Sequence, residues 1–229
     1  MIFFFVLLRV QKWRMMKKMN RSSFVDTDIL LKIGGFHGEE LLKKILLSFG
    51  YDLYIHEYLL QEELIIGGKA SEQLNEMIGS EEISIMYESD LDDRELQEYR
   101  SALGVLASEM EVDLQKKRDK NAGEVKSMAM AFAKDFEYFI SDDRTARVVA
   151  KRSLQKLDGS YLETIRMKDV IMHIRKNNQT LEIDRKTARR LFLYGTNPKL
   201  ATNQDEKRRL ESMRKSLKKD FDDNLWPIK

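Results

Sequence analysis

The chain has 229 residues, of which 42% are hydrophobic and 34% are charged, so it can bury the core of one domain of ordinary size with extensions. Its 40 basic and 38 acidic residues nearly balance, which excludes a polycation that binds nucleic acid through overall charge; any such contact must be a local patch. The lack of cysteine excludes disulfides, thiolate metal sites and cysteine nucleophiles, and it fits a reducing, cytoplasmic compartment.

The chain begins with an apolar run, residues 1–8, which basic residues follow. This run is too short to span a bilayer, which takes about 20 residues. A signal peptide would carry its positive charge before the apolar run. Three interpretations remain for residues 1–19: a strand or short helix packed on the body, an interfacial anchor, or an upstream extension from a misassigned start codon, with Met19 as the true start. We expect no membrane span.

From residue 20 onward, short apolar runs alternate with stretches of helical periodicity. In chain order we predict strand 24–28, a helical turn at 29–33, helix 39–49, strand 51–55, helices 57–66 and 71–78, strand 83–87, helices 94–110 and 124–134, strand 137–140, helix 145–154, strand 161–165 and helix 168–176. Such alternation indicates βαβ units. We therefore predict an α/β fold over residues 20–176: a three-layer α/β/α sandwich with a mainly parallel central sheet of about four or five strands.

The composition changes after residue 176, and residues 177–229 form a charged helical C-terminal extension. Residues 205–221 are almost wholly charged, with a thin apolar stripe that does not suffice for an independent domain. The extension is a helix packed on the body, a partner-binding helix or a frayed tail. It also contains a basic cluster that suits phosphate contact or protein interaction, namely Arg185, Lys186, Arg189 and Arg190.

Carboxylates follow two of the predicted strands. Asp26 follows the first apolar run, and Asp142 and Asp143 follow the run that ends at Ile140. Open α/β sheets place their chemistry at the carboxyl ends of strands. Glu124 begins a helix, and its position one turn before apolar residues directs it to the buried face. These acids predict a carboxylate cluster around a divalent metal.

Taken in order, these acidic segments resemble the PIN-domain nucleases. The resemblance covers about residues 24–175 and rests on four segments: Val25-Asp26-Thr27-Asp28-Ile29-Leu30, Leu59-Leu60-Gln61-Glu62-Glu63-Leu64, Gly123-Glu124-Val125-Lys126-Ser127-Met128-Ala129, and Ile140-Ser141-Asp142-Asp143-Arg144-Thr145-Ala146-Arg147. It implies an α/β/α fold with a carboxylate-lined site for Mg²⁺ or Mn²⁺.

The resemblance further implies an endoribonuclease, in which a metal-activated water attacks phosphorus and leaves a 5′-phosphate and a 3′-hydroxyl. It implies a catalytic set of Asp26, Glu62, Glu124 and Asp142, with Asp26, Glu124, Asp142 and Asp143 as metal ligands and Asp28, Thr27, Ser141 and Glu63 as supporting residues. Glu62 is favoured over Glu63. Many small bacterial members are toxins held by an antitoxin, so a cognate inhibitor protein is a candidate partner beside RNA, and a homodimer is another. The C-terminal extension departs from the smallest members.

Each acid also has a plainer interpretation. Asp26 fits a helix N-cap, Glu62 and Glu63 fit a solvated helix face, Glu124 fits a first-turn glutamate, and one of Asp142 and Asp143 fits a cap of the next helix. The acidic turn at 90–93 is better explained as a helix cap than as a second metal site. One helix face carries four basic residues that suit phosphate contacts or a solvated surface, namely Arg144, Arg147, Lys151 and Arg152.

Other functions remain open. The acids at 26, 28, 142 and 143 also resemble those of haloacid dehalogenase-like phosphatases, in which the first aspartate is a nucleophile and the second a general acid. That family expects threonine or valine where Leu30 stands and gives the helix at Glu124 no role. A third hypothesis is a catalytically inactive PIN-like scaffold that binds RNA or protein. A regulator that binds partners through the C-terminal helix is compatible with any of these.

Overall fold

The computed structural model describes residues 21–36, 40–63, 68–116, 119, 121–154, 157, 162–195 and 204–227, without the side chains of 62, 63, 204–207 and 209. The interpretations given for residues 1–19 lie outside the described residues. No described helix combines the length and the apolar character that crossing a membrane requires.

Five parallel strands form the central sheet, in the spatial order β3-β2-β1-β4-β5. They are β1 (Ser22–Val25), β2 (Asp52–His56), β3 (Ile83–Met86), β4 (Tyr138–Ile140) and β5 (Glu163–Ile165). The predicted α/β class and the parallel sheet are confirmed.

Helices connect and follow the strands. They are α1 (Thr27–Gly34), α2 (Leu41–Leu47), α3 (Lys69–Gly79), α4 (Asp93–Glu109), α5 (Ala122–Ala133), α6 (Arg144–Val149), α7 (Met167–Lys176), α8 (Asn178–Leu181), α9 (Arg185–Gly195) and α10 (Gln204–Asp220). Shorter helical segments are 3-10 at Glu88–Asp90 and π-helical at Leu59–Glu63, Ala150–Leu154 and Phe221–Leu225.

The helices cover both faces of the sheet because successive strand residues point to opposite sides. Val25 and Ile140 pack into one core with buried residues of α1, α2, α3, α7 and α9. Phe24 and Phe139, one position earlier, pack into a second core with α4, α5 and α6. The strands are therefore apolar on both faces, as a covered parallel sheet requires, and the predicted three layers are present.

The end of the C-terminal extension belongs to the same core. Phe221 is fully buried against Phe192, and Leu225 is 4% exposed. Arg185 and Arg189 both pair with Asp222, so part of the predicted basic cluster fixes this segment in place. Of the three interpretations of the extension, packing on the body holds for residues 221–225, while the described α10 side chains are mostly exposed.

One boundary differs from the sequence prediction in a way that matters for the site. β1 ends at Val25 and α1 begins at Thr27, so Asp28 lies in the first turn of a helix and does not end a strand. Asp26 is the single extended residue between the two elements. The acidic turn before α4 is a cap as predicted, since Asp92 accepts the N–H of Glu95.

Candidate active site

The acidic residues that follow β1 and β4 lie where the chain reverses direction across the sheet. From β1 the chain builds outward to β2 and β3, and it then crosses back so that β4 pairs with the other side of β1. The N–H of Asp26 donates to the carbonyl of Ile140 at 2.9 Å, so the ends of the two strands are joined. In open α/β sheets the crevice beside the carboxyl ends of such strands binds ligands.

Two acids and a hydroxyl converge at this point. The Ser141 Oγ lies 3.0 Å from Asp26 Oδ2 and 2.7 Å from Glu124 Oε1. Ser141 is fully buried, and Asp26 and Glu124 are each 6% exposed. The sequence predicted that the two acids would meet, and the structure brings them to one hydroxyl group. We call Asp26, Ser141 and Glu124 the acid cluster.

The plain helix-cap interpretation does not account for Asp26. It occupies the N-cap position of α1, but its side chain makes no capping hydrogen bond there. Its carboxylate instead contacts Ser141, 115 residues away in the chain. A capping aspartate would satisfy the first N–H groups of its own helix. Tertiary structure, and not helix initiation, therefore sets the orientation of this side chain.

Glu124 reaches the acid cluster because its helix is buried along its length. α5 consists mostly of small and apolar residues, and each residue of the helix except Lys126 is buried. Glu124 is in the first turn of α5. A carboxyl in this position is largely shielded from bulk water.

The hydrogen bonds of the acid cluster require an extra proton. The Ser141 Oγ also accepts the N–H of Asp143 at 3.2 Å. A serine hydroxyl has one hydrogen, so it can donate to Asp26 or to Glu124 but not to both. If both contacts are hydrogen bonds, one of the two carboxyls must itself be protonated and donate to Ser141.

Glu124 is the protonated member. Its burial, and then the nearby Asp26 carboxylate, raise the pKa of Glu124 to about 9. The carboxylates of Asp143 and Asp28 raise this pKa further. Like charges crowded into a poorly solvated site cannot all ionise. The acid cluster therefore concentrates carboxylates in a poorly solvated site.

Asp142 lies beside this cluster but faces other partners. Its carboxylate accepts a hydrogen bond from Lys32 Nζ at 2.9 Å and one from the N–H of Met167 at 3.2 Å, and Arg166 Nη2 is 3.8 Å away. Lys32 also donates to Asp28 at 2.6 Å. Lys32 and Arg166 therefore balance the charge of Asp142. That Asp142 shares a metal with Asp26 and Glu124 stays a prediction.

Asp143 caps a helix, which is the plainer of the interpretations given for one of the two adjacent aspartates. Its carboxylate accepts the N–H groups of Thr145 and Ala146 at the start of α6. A capping carboxylate keeps a fixed position, which holds Asp143 close enough to influence Glu124. Its predicted role as a metal ligand is not tested by these contacts.

The remaining predicted residues divide into three groups. Thr27 is buried at the start of α1. The backbone of Glu62 and Glu63 lies in the π-helical segment after β2, and their side chains are outside the described part of the chain. The predicted nucleic-acid contacts are all exposed on α6 and the segment after it, namely Arg144, Arg147, Lys151 and Arg152.

Sequence reasoning missed Lys32 and Arg166. Lys32 follows Asp28 by four residues on α1, a spacing at which opposite charges meet on a helix. That signal was present, but the strand was predicted to continue to Asp28, which hid the helical spacing. Arg166 follows β5, and only the pairing of β5 with β4 brings it to Asp142.

A second polar network lies at the end of β2, the strand beside β1. His56 is fully buried; its Nδ1 accepts the N–H of Tyr58 at 3.1 Å, and burial lowers its pKa to about 4. The Tyr99 hydroxyl donates to Glu88 at 2.8 Å, and Lys126 lies 3.5 Å from the same carboxylate. Glu88 therefore accepts a hydrogen bond from Tyr99 and lies beside the positive charge of Lys126.

The acid cluster fits a hard divalent cation in its donor chemistry. Among the side chains that the structure describes, no three histidine or acidic groups are arranged to hold a metal ion together. Mg²⁺ sites, however, commonly use one or two carboxylates and complete the shell with waters and substrate phosphates. Asp26 and Glu124 supply two carboxylates, and a cation between them would offset the burial and the repulsion that raise the pKa of Glu124.

Comparisons with known proteins add no assignment. No protein-family model matches the chain, and neither the curated proteins nor the solved structures contain a match.

Proposed function

We propose that the chain is a metal-dependent endoribonuclease, which hydrolyses RNA phosphodiester bonds with a water activated at the acid cluster. The observation that carries the proposal is the meeting of Asp26 and Glu124 at Ser141, beside the switch point of a parallel sheet. Such a crevice is the common ligand site of open α/β sheets. The resemblance of the acidic segments to PIN-domain nucleases supports the same activity.

The chain's own groups suit this reaction. Mg²⁺ or Mn²⁺ bound between the carboxylates would lower the pKa of a water and neutralise charge on the scissile phosphate. Asp26 and Glu124 would supply oxygen ligands, and the Ser141 hydroxyl would orient Asp26. Asp26 lies directly after β1, Ser141 lies directly after β4, and Glu124 belongs to the buried α5. Secondary structure therefore fixes the backbone of all three residues.

RNA would approach this site over a surface that offers positive charge. The four basic residues on and after α6 are exposed, and they follow the Asp142–Asp143 pair directly in the chain. Contacts of this kind position a strand through its phosphates without reading its sequence. A cognate inhibitor protein and a homodimer stay predictions.

The test is cleavage of a single-stranded RNA by the full-length chain in Mn²⁺, with and without EDTA. Asp26→Asn and Glu124→Gln should each lower the rate by about 100-fold or more, since loss of even an outer partner of a metal ligand costs about 10–100-fold. Glu109→Gln is the matched control: it removes an exposed carboxylate at the far end of α4 and should leave the rate unchanged.

Two outcomes would reject a metal-dependent nuclease that works through the acid cluster. Cleavage that survives EDTA and both substitutions would mean that the activity does not use the acid cluster. Turnover of a small phosphate ester such as p-nitrophenyl phosphate, lost in Asp26→Asn while RNA stays intact, would instead favour the phosphatase hypothesis. Thermal melting of each variant would show that the loss of activity is not a loss of folding.

A further inference from the structure

Two hydrogen-bond donors and one further cation surround the Asp142 carboxylate. They are the Lys32 ammonium at 2.9 Å, the Arg166 guanidinium at 3.8 Å and the N–H of Met167 at 3.2 Å. Met167 is the first residue of α7, so this N–H belongs to a helix N-terminus. Ammonium, guanidinium and helix N-terminal amides are the groups with which proteins bind phosphate. We call Lys32, Arg166 and the Met167 N–H the anion seat.

The anion seat adjoins the acid cluster. Asp142 directly follows Ser141, whose hydroxyl contacts both Asp26 and Glu124. Asp26 and Asp142 follow the paired strands β1 and β4, so the seat lies at the same edge of the sheet as the acid cluster.

The anion seat is accessible from solvent. The side chains of Lys32 and Arg166 are 22% and 25% exposed, and that of Asp142 is 12% exposed. Hydrogen bonds to Asp28 and Asp142, which outweigh the opposing effect of burial, raise the pKa of Lys32, so its ammonium group stays charged. Were Asp142 to leave, Lys32 would keep Asp28 as a partner and Arg166 would lose the carboxylate beside it.

We propose that the anion seat is a phosphate subsite for RNA, and that Asp142 fills it until a substrate phosphate takes its place. The inference rests on the proposed function. The displaced Asp142 carboxylate would then be available, with Asp26 and Glu124, to hold a bound Mg²⁺ or Mn²⁺. Phosphate and metal therefore strengthen each other's binding, because each favours the same position of Asp142. This exchange accounts for the contacts that Asp142 makes with Lys32 and Met167 in this structure.

The test measures Mn²⁺ binding to the full-length chain from the electron paramagnetic resonance signal of free Mn²⁺, with and without inorganic phosphate, against protein-free blanks. Phosphate should tighten Mn²⁺ binding to the wild type by about fivefold or more, the lower range of coupling between sites. Lys32→Met and Arg166→Gln should each abolish most of this tightening. Asp142→Asn should also abolish it, because asparagine brings no charge to the metal.

Lys126→Met is the matched control, since Lys126 is a similarly exposed lysine that pairs with Glu88 on the neighbouring network. It should keep the full effect of phosphate. Tightening that persists in Lys32→Met, or that falls equally in Lys126→Met, would overturn the subsite. A wild type that binds Mn²⁺ through Asp26 but ignores phosphate would also overturn it, yet leave the nuclease intact. Mn²⁺ binding that is absent, or unchanged in Asp26→Asn, would reject the nuclease itself.

Discussion

The acid cluster and the C-terminal segment, residues 220–225, differ in how their charged groups are paired. Around Glu124, the effects that raise its pKa are burial and other carboxylates. In the C-terminal segment, opposite charges face each other: Asp220 pairs with Lys168, and Asp222 pairs with Arg185 and Arg189. Glu124 is 6% exposed, whereas the side chains of Asp220 and Asp222 are 24% and 33% exposed, so the acid cluster is also the less solvated of the two regions.

This difference separates a region that stabilises the fold from one that is costly to the fold. Natural sequences satisfy local rules wherever nothing else is asked of them, and they break those rules at functional sites. A buried acid whose neighbours raise its pKa strongly is a candidate of that kind. The C-terminal segment shows that this chain does pair its charges elsewhere, which makes the acid cluster an exception within the same molecule.

The largest expected effect is that of Phe221→Ala. Phe221 is fully buried between Phe192 and Trp226, and truncating a buried phenylalanine costs about 3–5 kcal/mol. The free energy of unfolding from urea denaturation should fall by that amount. Met213→Ala, at an exposed position of α10, should change it by less than about 0.5 kcal/mol. Equal small effects of both substitutions would show that the segment does not contribute to the core.

The next effect is a pH dependence that Glu124 introduces. The pKa of Glu124 is raised from 4.5 to about 9, so between these values the folded chain keeps a proton that the unfolded chain has released. The contribution of Glu124 to stability is therefore complete below pH 4.5 and is lost as the pH rises toward 9. Linkage sets the loss at up to about 1.4 kcal/mol per pH unit.

Urea denaturation in EDTA at pH 6 and pH 8 measures this slope. Glu124→Gln cannot release a proton, so its stability should change less between the two pH values than that of the wild type. Glu109→Gln, which removes an exposed glutamate, should follow the wild type. Parallel pH profiles for wild type and Glu124→Gln would mean that Glu124 is ionised in the folded chain and that the acid cluster is not crowded.

The fold was largely predictable because its signals are local. Apolar runs flanked by helical periodicity located all five strands, and a parallel sheet with helices on both faces follows from that order. The exact end of β1 was not predictable in the same way. Val25-Asp26-Thr27-Asp28 reads as a continued strand, and only the extended backbone of Asp26 followed by the turn into α1 shows that the strand stops earlier.

The candidate site was predictable in its acids but not in their partners. Asp26 follows a strand and Glu124 begins a helix. In a parallel α/β sheet, the carboxyl ends of strands and the N-termini of helices lie at the same edge, so the sequence predicted that the two acids would meet. Ser141 as the shared contact depends on the register of β4 against β1, and Arg166 depends on that of β5 against β4. Such long-range pairings leave no trace in one sequence. The direction of the Asp142 carboxylate was therefore beyond prediction.

The smallest expected effect sharpens the comparison from the well-paired side. Lys168 and Asp220 form an ion pair whose side chains are 45% and 24% exposed, and the pair lowers the pKa of Asp220. Exposed pairs contribute about 0.2–1 kcal/mol, so Lys168→Met should lower the free energy of unfolding within that range.

A double-mutant cycle with Asp220→Asn isolates the pair from other effects of each substitution. A coupling near zero would assign the docking of this segment to Phe221 and its apolar neighbours, whereas a coupling above about 2 kcal/mol would show that charge pairing fixes it. Because the pair is exposed and solvent screens it, we expect the apolar contacts to dominate, and the stability of the C-terminal segment should then change little with salt.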